Sequence, residues 1–139
     1  MAQIIADIMT RDPATIERHQ SAAEAARRMA AADAGDVIVL DNGTVCGIVT
    51  DRDIAIRLVA QDKGPDTPVD DLVTGDELVT VGPDTSISQA IQLIRGKAVR
   101  RLPVVQQGRA VGIVSLGDLA IEEDPGSALA DISAAEGNT

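Results

Sequence analysis

Phenylalanine, tyrosine and tryptophan are all missing from this chain of 139 residues. Its core must therefore be aliphatic, and a bound base could lie only against aliphatic side chains or arginine planes. Cysteine and histidine occur once each, as Cys46 and His19. A single cysteine excludes an internal disulfide and a multi-cysteine metal site, and a single histidine leaves no His-based catalytic pair within one chain. Cys46 falls in an apolar stretch, which predicts a small core residue with an inert thiol. His19, just ahead of a helix start, is expected in a surface turn. Long apolar runs are absent too: none approaches the ~20 residues of a membrane span. The opening Met1-Ala2-Gln3-Ile4-Ile5-Ala6-Asp7 lacks the basic and apolar regions of a secretory signal. The expected setting is cytoplasmic, with no membrane partner.

Basic residues are scarce, 12 against 22 acidic, for a formal charge of −10. Such a field repels nucleic acid at long range, so no nucleic-acid partner is expected and any anion site must be local. No metal-ligand cluster and no nucleophile paired with a base can be picked out, so neither a catalytic residue nor a bound metal is expected. What the chain does hold is a 45% hydrophobic composition over one domain's length, enough for a real core.

Gly47-Ile48-Val49-Thr50-Asp51-Arg52-Asp53 reads as a buried strand, a hydroxyl, and an aspartate three positions on at the head of an amphipathic stretch. Gly112-Ile113-Val114-Ser115-Leu116-Gly117-Asp118 is its second copy. A strand feeding a helix N-terminus suits a phosphate, because the first N–H groups are unpaired there and the helix dipole is positive; an aspartate one turn in could accept from a ribose diol. The same spacing also fits a capping box, in which hydroxyl and carboxylate serve only the helix.

Taken in order, residues 4–9 suggest a short helix ending before Asp12-Pro13. Residues 14–16 suggest a short strand, and Ser21 with Glu24 a capping box opening a helix that buries Ala22, Ala25, Ala26, Met29 and Ala30. Residues 37–40 and 45–49 form a hairpin about Asp41-Asn42-Gly43, leading into a helix over 51–60. Breakers at 62–68 read as a connection. The second half repeats this order: 69–73 for the opening helix, 78–81 for the short strand, and Ser86 with Gln89 capping a helix that carries Ile87, Ala90, Ile91 and Ile94 on one face. Strands at 102–105 and 110–114 then flank a turn at 106–108, with a helix from 116. Gly47 and Gly112, Asp53 and Asp118, Gly43 and Gly108, Ser21 and Ser86 all lie 65 residues apart. A constant offset signals a duplicated unit with almost no insertion, and each half is small to stand alone. Residues 124–139 are expected to form a short docked helix or tail.

With these residues in place, the chain resembles a tandem pair of cystathionine-β-synthase (CBS) domains, a Bateman module. Gly47 to Ile54 and Gly112 to Leu119 resemble the family's closing motif, and Val99-Arg100-Arg101-Leu102-Pro103-Val104-Val105 its central strand; the likeness covers about residues 1–122. It implies a mixed α/β fold of two β-α-β-β-α repeats, 1–62 and 69–123 joined by a linker at 63–68, packed about a pseudo-twofold axis. It implies further a non-catalytic regulatory module that binds an adenosine-type ligand (AMP, ADP, ATP or S-adenosylmethionine) in clefts between the repeats, with no cofactor required. By the same likeness two modules pair as a homodimer and signal to an effector protein.

The resemblance assigns Thr50, Arg52, Asp53, Thr80, Val99, Arg100, Arg101 and Leu102 to a first cleft. A second cleft takes Thr15, Gly35, Asp36, Val37, Ser115 and Asp118. The arginines equip the first for phosphate oxygens, whereas the second has Gly117 and Gly35 where the first has Arg52 and Arg100, and adds Asp36. The first is therefore expected to hold phosphate and the second to be empty or to take a less charged ligand. Ile38 stands where the second repeat has Pro103, a departure from the family pattern that bears on the second cleft's shape. A scaffold with vestigial clefts is the competing reading.

Overall fold

A computed structural model describes residues 3–73, 78–97 and 99–123; the expected C-terminal helix or tail at 124–139 lies outside them. The fold is mixed α/β, with two three-stranded sheets and four helices among the described residues. Two compact units divide it, one within Ala14–Leu78 and the other made of Met1–Pro13 with Val79–Thr139.

In the first unit, β2 (Thr15–Glu17) runs parallel to β3 (Asp36–Asp41), which pairs antiparallel with β4 (Thr44–Thr50). The hairpin turns at Asn42 and Gly43, with φ of 51° and 87°, the left-handed pair that a two-residue loop between right-twisted strands requires. Helix α1 (Ala22–Ala32) starts at Ser21, whose Oγ accepts from the Glu24 N–H at 3.1 Å. The capping box is only half made, because the Glu24 carboxylate turns to Arg27 and Arg28 at 3.0 and 3.1 Å. Ala22, Ala25 and Met29 of α1 are buried, but Ala26 and Ala30, expected on the same face, are exposed. Alanine carries too little apolar surface to draw the helix further round.

The second unit repeats the pattern with β5 (Arg101–Gln106) and β6 (Arg109–Ser115) about Gln107 and Gly108, φ 54° and 81°. Helix α3 (Ile87–Lys97) buries Ile87, Ala90 and Ile94 and opens on a complete capping box: the Gln89 N–H donates to Ser86 Oγ and the Ser86 N–H to Gln89 Oε1, both at 3.1 Å. The short strand expected at 78–81 shrinks to a single bridge between Val81 and Val104.

The leading segments change places. Residues 5–7 form a 3-10 turn rather than the expected helix, and β1 (Thr10–Arg11) pairs antiparallel with β6 of the second unit, where Ile5 is wholly buried. Correspondingly Val69 and Leu72 are wholly buried in the first unit. Each such side chain contributes about 1.5–3 kcal/mol of burial. Two glycines allow the crossings: a Cβ on Gly47 would meet Val73 Cγ1 at 2.8 Å, and one on Gly112 would meet Met9 Sδ at 2.5 Å and the Thr10 carbonyl oxygen at 3.0 Å. Each compact unit thus takes its leading segment from ahead of the other repeat.

Cys46 is a correction. It is exposed, because the pairing of β3 with β4 slips between Val39 opposite Gly47 and Leu40 opposite Val45, leaving Cys46 as the extra residue of a β-bulge. The same slip at Val104 and Val105 makes Val111 its counterpart. Partial desolvation, then the charges of Asp70 and Asp41, push the thiol's pKa up. His19 is exposed in a turn, as expected.

Candidate functional site

Each β-hairpin ends by running straight into a helix, and the expected binding residues cluster at that end of each unit. In the first, Thr50 closes β4 and caps α2 (Asp51–Asp53), which continues without a break as a π-helical segment, Ile54–Val59. The cap is reciprocal: the Asp53 N–H donates to Thr50 Oγ1 at 3.1 Å, and Asp53 Oδ2 accepts from the Thr50 N–H at 2.8 Å and from its hydroxyl at 3.0 Å. Asp53 Oδ1 lies 3.4 Å from Arg57 Nε one turn on. Arg57 was not singled out from the sequence, although its i,i+4 spacing from Asp53 was there to be read.

Beside this cap, Asp36 pairs with Thr50 across the sheet, and the Gly35 carbonyl accepts from the Asp51 N–H at 2.9 Å. Asp36 and Val37 are buried, Arg52 is exposed, and Thr15 starts β2 opposite Ile38 at the same sheet end.

The second unit repeats the same cap and backbone pairing with other side chains around it. The Asp118 N–H donates to Ser115 Oγ at 3.1 Å and the Ser115 N–H to Asp118 Oδ2 at 2.9 Å, at the head of α4 (Leu116–Glu123). Arg101 pairs with Ser115, and the Arg100 carbonyl accepts from the Leu116 N–H at 2.7 Å. Leu102 is buried, Val99 half-buried, and Arg100 and Thr80 exposed.

The structure therefore gathers, within each unit, residues that the resemblance assigned to different clefts. Thr50, Arg52 and Asp53 stand with Gly35, Asp36 and Val37; Ser115 and Asp118 stand with Arg100, Arg101 and Leu102. Both helix heads are capped as well as acidic, and the capping reading of the Thr/Ser-x-x-Asp spacing is realised in full. Each cap uses one oxygen of its carboxylate and fixes the direction of the other, which at Asp53 faces Arg57. Among the described residues no three His, Cys, Asp or Glu side chains gather as a metal site.

The model of the CBS domain matches residues 5–60 and 69–123, two copies covering most of the chain. The chain belongs to the CBS-domain family. Its CBS pair is 42% identical, over 93% of this chain and 94% of the other, to the CBS domain-containing protein YhcV of Bacillus subtilis. It also shares the fold of two solved CBS proteins at 24% identity. One is the CBS domain pair of protein MJ0100 in complex with 5′-methylthioadenosine and S-adenosyl-L-methionine, with a TM-score of 0.79 over 91% of this chain and all of the other. The second is CBS domain protein PAE2072 from Pyrobaculum aerophilum complexed with AMP, with a TM-score of 0.74 over 83% and 88%. No catalytic family is indicated, and no described helix is long and apolar enough to cross a membrane.

Proposed function

We propose that this CBS pair is a non-catalytic regulatory module whose ligand is an adenine nucleotide of the AMP, ADP or ATP type. The observation that carries the reading is the repeated capped carboxylate: Asp53 Oδ2 accepts two hydrogen bonds from Thr50 and Asp118 Oδ2 one from Ser115, each beside a strand end pinned to the same helix head. A carboxylate so fixed suits a ribose diol, and the adjoining helix N-terminus suits an anion. The complexes of MJ0100 and PAE2072 give the ligand class by fold analogy.

Phosphate recognition is assigned to Arg52, Arg100 and Arg101, the cationic members of the set that the resemblance names with Thr50, Asp53, Thr80, Val99 and Leu102. The group containing Ser115 and Asp118 with Thr15, Gly35, Asp36 and Val37 has a buried carboxylate in place of arginines and takes a less charged adenosine-type ligand. Ile56 and Val59 are exposed along the π-helical segment, 42% and 65%, and Leu116 at 38%; these apolar surfaces support a homodimer and an effector partner. Ligand acts on either by preferring one arrangement of the module over another.

The ultraviolet spectrum of fresh protein is the first test, because a chain without aromatic residues leaves the region near 260 nm to its ligand. An adenine compound released by acid is the expected result. Calorimetry on stripped protein follows: AMP, ADP or ATP should bind, and joint Arg52→Ala and Arg100→Ala substitution should weaken binding by about 100-fold, each lost charged hydrogen bond being worth about 1.5 kcal/mol. Unchanged affinity in that variant would sink the phosphate assignment, and no binding of any adenosine compound would leave the scaffold reading.

A further inference from the structure

The second unit carries a groove of about 620 Å³ beside α3. It lies between residues 80–85 and the helix, on the edge of the sheet where Val81 bridges Val104. Its floor is aliphatic, from Val81, Leu93 and Val105, and its walls are neutral and polar, from Thr80, Thr85, Gln89 and Gln92. Among the described residues, no charged side chain lines it.

The hydrogen-bonding state of those walls is specific. Gln89 Oε1 is engaged by the Ser86 N–H at 3.1 Å, so its amide NH2 is the half left to reach outward. Thr85 Oγ1 accepts from the Gly82 N–H at 2.9 Å, which leaves its O–H as a donor. The Val105 carbonyl adds an acceptor. In the first unit the equivalent carbonyl, of Leu40, accepts from the Arg18 N–H at 2.8 Å; the second unit has Pro83 at that position, which has no N–H to give.

Positions 65 residues earlier are filled differently. Glu17, Glu24, Arg27 and Arg28 stand where the groove has Gly82, Gln89, Gln92 and Leu93. Glu17 accepts from the Asn42 and Gly43 N–H groups at 2.8 and 3.3 Å, Glu24 is bound to both arginines, and Arg28 also donates to the Thr15 carbonyl. The same surface is therefore occupied by its own ion-pair network in one repeat and open in the other.

We propose that this groove is a binding site for an uncharged planar heterocycle of the nucleobase or nucleoside class, laid on the aliphatic floor and hydrogen-bonded at its edge by the amides, the hydroxyls and the Val105 carbonyl. Among the described lining residues none is a cation that would recognise phosphate, and the volume falls within the ~300–1,000 Å³ of small-molecule sites. A ring bearing both N–H and carbonyl or ring-nitrogen edges satisfies donors and acceptor together. The inference goes beyond the nucleotide reading and does not rest on it: Thr80 is common to both, but none of the capped carboxylates lines the groove.

The test is an amide NMR titration of the full chain with uridine and with adenosine to millimolar concentration. Saturable shifts are expected at Val81, Gly82, Thr85 and the side-chain amides of Gln89 and Gln92. Gln92→Ala, at an exposed helix position that should fold normally, is expected to weaken binding about threefold to tenfold, one neutral hydrogen bond. Combined Gln89→Glu, Gln92→Arg and Leu93→Arg substitution, which imports the first repeat's charges, should abolish it. The joint Asp53→Asn and Asp118→Asn variant separates the two readings: groove shifts that persist there support the groove, whatever becomes of nucleotide binding. No saturable shift at the groove in the unaltered protein, shifts undiminished in Gln92→Ala, or shifts lost in the aspartate variant would overturn the proposal.

Discussion

Arg18 and Pro83 occupy equivalent positions and do opposite things to the same sheet edge, as do Ile38 and Pro103. In the first unit the Ile38 N–H donates to the Ala14 carbonyl at 2.9 Å and the Arg18 N–H to the Leu40 carbonyl at 2.8 Å, one bond at each end of the three-residue ladder of β2. In the second, both donors are prolines. What remains is the pair between Val81 and β5, with the Val81 N–H on the Pro103 carbonyl at 3.1 Å and the Val105 N–H on the Val81 carbonyl at 2.8 Å. Two prolines thus turn a strand into a bridge, and the edge they loosen is the edge that bears the groove. Duplication preserved the hairpins, bulges, caps and crossing glycines, while this edge diverged; shared positions carry the fold, and the divergent ones are where function can differ between repeats.

The sharpest way to break the comparison is to give the first repeat the second's chemistry. Ile38→Pro removes the bond to Ala14, strands the carbonyl of a half-buried residue and loses part of a fully buried side chain, so it should destabilise by about 3 kcal/mol or more. The converse, Pro103→Ile, supplies a donor that the second unit already does without, and should change stability by less than about 1 kcal/mol. Urea unfolding followed by far-ultraviolet circular dichroism reads both, since no aromatic fluorescence is available. Equal effects would mean that the edge is equally dispensable in the two units.

A smaller asymmetry is expected at the two crossings. Gly47→Ala must displace only the Val73 side chain, whereas Gly112→Ala meets the Thr10 carbonyl in addition to the flexible end of Met9. That carbonyl belongs to β1, whose pairing with β6 runs through Gly112 itself, so it cannot retreat without breaking the ladder. We expect losses of about 1 kcal/mol at Gly47 and about 2–3 kcal/mol at Gly112, within the usual range for overpacking. The same unfolding curves check the order; a larger loss at Gly47 would show Val73 to be the less yielding neighbour.

These contrasts also mark how far the sequence could be read. Asn42-Gly43 and Gln107-Gly108, the Thr50/Asp53, Ser115/Asp118 and Ser86/Gln89 caps, and the offset of 65 were legible because a turn or a cap is decided within four residues. Cys46 was misread because a β-bulge depends on register against another strand, and a single slipped residue moves a side chain from core to solvent. Pairing of β1 with β6, and the buried places of Ile5, Val69 and Leu72, depend on partners far along the chain that no local pattern announces. The edge strand at 78–81 failed for a reason that was in plain view, the two prolines, but reading it required knowing which carbonyls they faced. Near the helix heads, the pairing of Asp53 with Arg57 and the cluster of Gln89 and Gln92 belong to no motif, so neither grouping was singled out from the sequence.

The smallest expected effect concerns the network that fills the first repeat's version of the groove. Hydrogen bonds from Arg27, then Arg28, hold the Glu24 carboxyl below its ordinary pKa. A carboxyl with a depressed folded pKa contributes stability that is fully present above its unfolded value, about 4.3, and is lost as pH falls through the folded value. Glu24→Gln should therefore lower the thermal midpoint slightly at pH 7, and the difference from the unaltered protein should close as the pH is brought well below 4, because both proteins then carry a neutral side chain there. Gln89→Glu in the second repeat lacks the partner arginines, so it should show no such convergence, and adding Gln92→Arg and Leu93→Arg should create it. A Glu24→Gln deficit that stayed constant through the acid range would mean that shape rather than charge fills this surface in the first repeat, and that the open groove of the second owes its character to smaller side chains rather than to neutral ones.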